Sequence, residues 1–475
     1  MQPSMRPINS MKPIQTTQPS AAGAGAVSPP VAIQGLSGIA RGGVPLWLPL
    51  PFLVTGVMGA ALFGVLLPWV MPQAILAPGF PHVLTLVHTA TLGWLTMTIM
   101  GASLQLTPVI LTSPLQAARF ARWQYPVYLV GVALLLSGFW FWLLPLLIVG
   151  GSLVVLAVAH YAVILGATLI AAHRQRERQH ETHPLTARYL TASLIYLCLV
   201  VGLGLTAALN LAFGFLGAGT GRLLLTHITL GVVGWLTCTL MGVSYTLVRM
   251  FALVHGHADT QGRRVFALLN GGIVGLAAGF ALAWTPLALL GGLLLIAAVW
   301  LFAWDYARML RQRKRRVLDV TQHHGIAAVS YLAVVIPLGV VAALAGWGSP
   351  RLFAALGIAA LVGWLGQSTL GYQYKIVPFL VWQSRYGALV GRQKVPLMRD
   401  LVHQRWATIT FWLVNGALPL VAATALLGWV LPMQIAAVAL GVGLILAAAN
   451  VAGILGPHKA VANPNPNPSL TPSHQ

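Results

Sequence analysis

The sequence predicts an all-α fold, a polytopic membrane bundle of about twelve transmembrane helices in three pseudo-symmetric four-helix units. Composition, the placement of charge and an internal repeat predict it. Of 475 residues, 58% are hydrophobic and 7% are charged, whereas a soluble domain carries about 25% charged residues. A net charge of +21 would suit a nucleic-acid partner if it formed one patch. Instead the basic residues fall in alternate loops, which is the positive-inside pattern and argues against nucleic acid. The natural partner of such a surface is the lipid bilayer.

The elements follow in order from that alternation. Residues 1–43 are rich in Pro, Gln, Ser, Thr and Gly and are expected to form a disordered cytoplasmic tail. The first apolar run, 46–71, is too long for a signal-peptide core. Spans at 82–112 and 125–143 flank Arg119 and Arg122, and 145–171 ends before Arg174, Arg176 and Arg178. Spans at 189–215 and 222–252 follow, and Arg263 and Arg264 precede 265–284. The run from Arg311 to Arg316 separates 286–307 from 325–347. Span 352–382 ends before Arg385, Arg392, Lys394, Arg399 and Arg405; 407–430 and 432–455 complete the domain at 44–456. Residues 457–475 read as a second disordered tail. The pattern places the protein in a bacterial inner membrane with both termini cytoplasmic.

Carboxylates are scarce. Glu177, Glu181, Asp259, Asp305, Asp319 and Asp400 all lie in or beside the basic loops. Cys198 and Cys238 fall inside apolar runs and read as small core residues, which excludes a disulfide framework.

A repeat ties the spans together. Gly93-Trp94 opens GWLTMTIMGASLQLTPVI, and Gly234-Trp235 opens GWLTCTLMGVSYTLVRMF, identical at nine of 18 positions. Gly363-Trp364 opens GWLGQSTLGYQYKIVPFL, and the second glycines, Gly101, Gly242 and Gly371, each stand eight residues after the first. Starts separated by 141 and 129 residues imply units of four helices. Glycines at this spacing also serve close helix packing in lipid, but packing alone does not place one motif in three equivalent helices.

Intramembrane ionisable groups are costly and therefore informative. Ten of the fourteen histidines lie in or near basic loops or in the tail, His257, His323, His324 and His403 among them, and read as solvated. His82, His88, His160 and His227 remain. His88 precedes Gly93 by five residues and His227 precedes Gly234 by seven, so both occupy similar depth on equivalent helices. A neutral imidazole is a ligand for haem iron and for copper, and the alternative is a bond to a neighbouring carbonyl. Arg222 and Arg351 each stand twelve residues before the repeat glycine, on a side otherwise almost free of charge. Such cations suit haem propionates or simple snorkelling at the interface.

The stretch from His88 to Pro108, HTATLGWLTMTIMGASLQLTP, resembles the second helix of haem–copper oxidase catalytic subunits, nitric oxide reductases and C-type oxidases in particular. The resemblance implies twelve helices in three units, an oxidase subunit I-like fold, with His88 as a low-spin haem ligand. His227 would correspond to the first copper-site histidine, and Arg222 and Arg351 to propionate partners. The chain departs from that family in having no histidine from Phe266 to Trp284 or from Leu352 to Trp382. The usual binuclear centre is therefore incomplete, and oxidoreductase activity by the standard route is not implied.

The leading expectation is a divergent relative that binds haem b, with copper as a second candidate, in electron transfer or nitric oxide- and oxygen-linked respiratory metabolism. The donor would be quinol or a separate cytochrome. The alternatives are a transporter of a small solute, haem or copper, and a metal-free subunit that associates with partners in a respiratory complex.

Overall fold

The computed structural model describes residues 44–182, 184–315 and 317–456. The expected tails, with His458 and His474, lie outside the described residues, as do His183 and Arg316. All regular structure among the described residues is helical. Twelve long helices follow one another: α1 Pro49–Ala74, α2 Pro81–Leu111, α3 Ala118–Trp140, α4 Leu144–Arg178, α5 Leu185–Phe213, α6 Gly217–Ala252, α7 Thr260–Ala281, α8 Thr285–Arg311, α9 Val320–Leu344, α10 Pro350–Leu389, α11 Gln404–Leu427 and α12 Val430–Leu455. Eleven of these are long and apolar enough to cross a membrane. The exception, α3, carries Arg119, Arg122, Gln124 and Pro126 in its first half. The helix α4 outruns its expected span, with 35 residues, roughly 50 Å at 1.5 Å per residue. Its last turns therefore carry Arg174, Arg176 and Arg178 past a hydrocarbon core of about 30 Å.

Burial divides the helices into inner and outer sets. In α2, α6 and α10, 72%, 56% and 67% of the most apolar stretch is buried, against 50% or less in the others. The outer helices expose side chains such as Val163, Leu293 and Ile435, a surface suited to lipid rather than water. Most of the basic residues lie in, or on the helix ends beside, the connections α2–α3, α4–α5, α6–α7, α8–α9 and α10–α11, so these ends define one basic face.

The three inner helices repeat local features. Each widens into a π-helical segment, at Thr89–Thr96, Thr229–Thr237 and Ala359–Gly366. A π segment inserts one residue per turn and rotates the side chains beyond it, so it is rarely kept without a reason. In α2 the Leu92 carbonyl accepts from the Tyr128 hydroxyl at 3.2 Å as well as from the Met97 amide. The tryptophans after the repeat glycines point into the centre. Trp235 Nε1 donates to Thr96 Oγ1 and Trp364 Nε1 donates to Thr237 Oγ1, each at 2.9 Å. The third joint differs, because Gly366 stands where a threonine would. A Cβ on Gly366 would lie 2.5 Å from the Trp94 ring, and Trp94 Nε1 has no partner. One polar tie between α10 and α2 instead lies further toward the basic face, where Gln373 Nε2 donates to Thr98 Oγ1 at 3.1 Å.

Neighbouring helices meet the second glycines in one manner. Added methyls at Gly101, Gly242 and Gly371 would strike Phe52, Tyr189 and His324 at 2.6, 2.2 and 2.8 Å. The turns between α3 and α4, α7 and α8, and α11 and α12 also share one backbone form. Trp142, Ala283 and Gly428 take positive φ there. The next amide closes each helix end: Leu143 to Gly138 at 2.8 Å, Trp284 to Gly279 at 2.8 Å and Trp429 to Thr424 at 2.9 Å. Such a left-handed residue satisfies carbonyls that a helix end would otherwise leave open.

Candidate functional site

His88 closes the first helical stretch of α2, directly before its π segment, and His227 lies one residue before the end of the equivalent stretch in α6. Both side chains are half-buried. His88 packs on Phe139 of α3 at 4.9 Å between ring centroids, and His227 lies against Gly204 of α5.

Their hydrogen bonds decide what they can do. His88 Nδ1 faces the Leu84 carbonyl at 2.7 Å and His227 Nδ1 faces the Val200 carbonyl at 3.1 Å. A carbonyl oxygen only accepts, so each Nδ1 carries the ring proton and each Nε2 presents a lone pair. No side-chain or backbone group bonds either Nε2 among the described residues. A backbone carbonyl on one nitrogen and an open lone pair on the other is the arrangement of a metal-ligating imidazole.

The donor set also discriminates between metals. Among the described residues no three His, Cys, Asp or Glu side chains come together to hold an ion. A bare copper ion would therefore have at most two protein ligands here. Haem iron needs only axial donors, because the macrocycle supplies the rest. The residues present fit haem ligation better than an isolated copper site.

The other expected site residues are placed apart. Arg222 is exposed in the first turns of α6, with only its carbonyl engaged, by Thr226. Arg351 is exposed at the start of α10, its guanidinium lying against Gly428 in the α11–α12 turn. Neither guanidinium bonds either histidine. His82 pairs with Gln73 at 3.0 Å and stacks on Trp140, while His160 is half-buried without a bonded partner.

Three sequence expectations need correction. His257 and His324 are not solvated: they retain 9% and 0% of their surface. His257 reaches back to α8, where its Nε2 meets Asp305 Oδ1 at 3.1 Å and its Nδ1 meets Gln312 Oε1 at 2.9 Å. Asp305 is wholly buried, and the carboxylate that a reading by loop proximity leaves at the surface sits inside the bundle. His324 bonds Gln367 of α10. Cys198 is not a core residue: it is exposed on α5, whereas Cys238 is buried. Lys375 of α10 pairs with Asp319 at 2.5 Å, which Arg315 also contacts at 3.2 Å.

A cavity of about 30 Å³ lies between α2, α6 and α10, on the basic-face side of the tryptophans. Thr98, Thr239, Thr369 and Tyr372 line it, with Ile99 and Leu240. Thr239 and Thr369 turn their hydroxyls onto carbonyls of their own helices, so methyl groups are left to face the space. It is far too small for a macrocycle or for an open solute path. No protein-family model matches this chain, and no curated protein matches its sequence.

Proposed function

We propose that this chain is a haem b-binding integral membrane protein built like haem–copper oxidase subunit I, with three four-helix units and His88 and His227 as iron ligands. The observation that carries the proposal is the pair of unbonded Nε2 atoms on equivalent inner helices. Each is held in one tautomer by a backbone carbonyl. The repeated π segments, tryptophan ties and turn geometry support the three units. A haem bound there supplies one-electron chemistry. The protein's part is to orient both imidazoles, and Phe139 and Gly204 fix their rings from the outer helices. Arg222 and Arg351 are the cations for its propionates.

The role that follows is electron transfer, or nitric oxide- and oxygen-linked respiratory metabolism, in a bacterial inner membrane with cytoplasmic termini. Quinol or a separate cytochrome would deliver electrons. Copper is the weaker cofactor reading for want of a third ligand. Purified protein, expressed with ample haem supply, is expected to show a b-type band in the reduced-minus-oxidised spectrum. His88→Ala and His227→Ala should each change or abolish that band while the protein remains folded. Folded parent protein without haem would overturn the proposal.

A further inference from the structure

Three buried polar atoms in the half of the bundle nearer the basic face lack partners, and the residues that carry them are neighbours across α9, α10 and α11. His324 Nδ1 lies 2.5 Å from Gln367 Oε1, and Gln367 Nε2 donates to Asn415 Oδ1 at 2.6 Å. The amide oxygen accepts, so the imidazole proton is on Nδ1 and Nε2 offers a lone pair. That Nε2 is buried without a partner. The Tyr374 ring lies 6.0 Å from His324, and its hydroxyl lies beside Thr410 and Asn450. Neither the Tyr374 hydroxyl nor Thr410 Oγ1 completes a hydrogen bond, although the residues are 4% and 0% exposed. Elsewhere on α11, Thr408 and Thr424 turn back onto carbonyls four residues earlier. Thr410 does not.

The position is specialised within the repeat. Where the second glycines of α2 and α6 receive Phe52 and Tyr189, that of α10 receives His324. Four residues beyond the first glycines stand Met97, Cys238 and Gln367, so only this third place is built as a polar network.

We propose that α9, α10 and α11 enclose a bound water that joins His324 Nε2 to the hydroxyls of Tyr374 and Thr410. The water donates to Nε2, and the two hydroxyls take up its remaining capacity. Three bonds are typical of a buried water. A metal ion fits worse, because no carboxylate or thiolate joins these groups to balance its charge. Beyond Tyr374, Asn450 exchanges bonds of 3.0 and 3.1 Å with the His403 backbone. Both residues wall a surface cavity of about 540 Å³. The water thereby links the Asn415–Gln367–His324 chain to the Tyr374 and Thr410 hydroxyls. This site is independent of the haem proposal.

Magnetic resonance on full-length protein with ¹⁵N-labelled histidine, in lipid bilayers, tests the inference. The expected His324 Nε2 signal is that of an imine nitrogen accepting a hydrogen bond, with magnetisation transfer from water. Thr410→Val removes one of the water's partners and should lower the unfolding midpoint. A free-imine signal without water contact overturns the proposal, even if Tyr374 and Thr410 bond each other directly. So does a Thr410→Val protein as stable as the parent or more so, since deleting an unsatisfied hydroxyl relieves a fold.

Discussion

At the scale of single residues, His257 and Asp305 are the most demanding pair in the chain. Both ring nitrogens of His257 face oxygens, Gln312 Oε1 and Asp305 Oδ1. The proton between His257 Nε2 and Asp305 Oδ1 gives the wholly buried carboxyl a hydrogen-bonded partner, which is how it can be kept. His257→Ala leaves that carboxyl without its partner and is expected to cost about 3–5 kcal/mol. The double replacement His257→Leu with Asp305→Leu should restore much of the loss, read by thermal unfolding in detergent. The pair was illegible in the sequence because Arg263, Arg264 and Arg311 surround both residues in the chain. Folding the α6–α7 connection against α8 is what buries them, and no local pattern encodes that crossing. The depth of His88 and His227 was legible because it is counted along one helix from a glycine. The His88 bond to Leu84, one turn back, is the neighbouring-carbonyl alternative of the sequence; the His227 partner was not legible, since Val200 belongs to another helix.

At the scale of elements, glycine spacing pointed to α2, α6 and α10, the three most buried helices, but not to the π segment that each contains. The two joints with a completed tryptophan hydrogen bond should be the stronger. Thr237→Val strands the buried Trp364 N–H and is expected to cost about 1–3 kcal/mol. Trp94→Phe removes an N–H that already lacks a partner, and it should be milder than Trp364→Phe by a comparable margin. Unfolding midpoints of the two phenylalanine variants, measured side by side, check this. Equal losses would mean that the ties to Thr96 and Thr237 contribute nothing. Boundaries were less legible than identities: α3 starts at Ala118 rather than near 125, and α4 continues to Arg178. In both cases charged residues extend a helix beyond its apolar stretch, where water can solvate them.

For the whole molecule, the arrangement of charge is the clearest message in the sequence, and the structure gathers the basic connections on one face. Reporter fusions in the α2–α3, α6–α7 and α10–α11 connections should behave as cytoplasmic. Fusions in the α3–α4, α7–α8 and α11–α12 turns should behave as exported. A reversed pattern would invert the proposed orientation. The membrane class was legible because an apolar surface of this extent has no other solvent. The inner ring of α2, α6 and α10 was legible only through the repeat, since their hydropathy does not exceed that of the outer helices.

The unequal exposure of the two thiols gives the natural protein a built-in point of attachment. Cys198 lies near the middle of α5 with its sulfur outward, while Cys238 is sealed within α6. A lipid-soluble nitroxide or fluorophore should therefore derivatise one site without any mutagenesis. Its mobility and quenching depth would report how this helix is tilted in a bilayer.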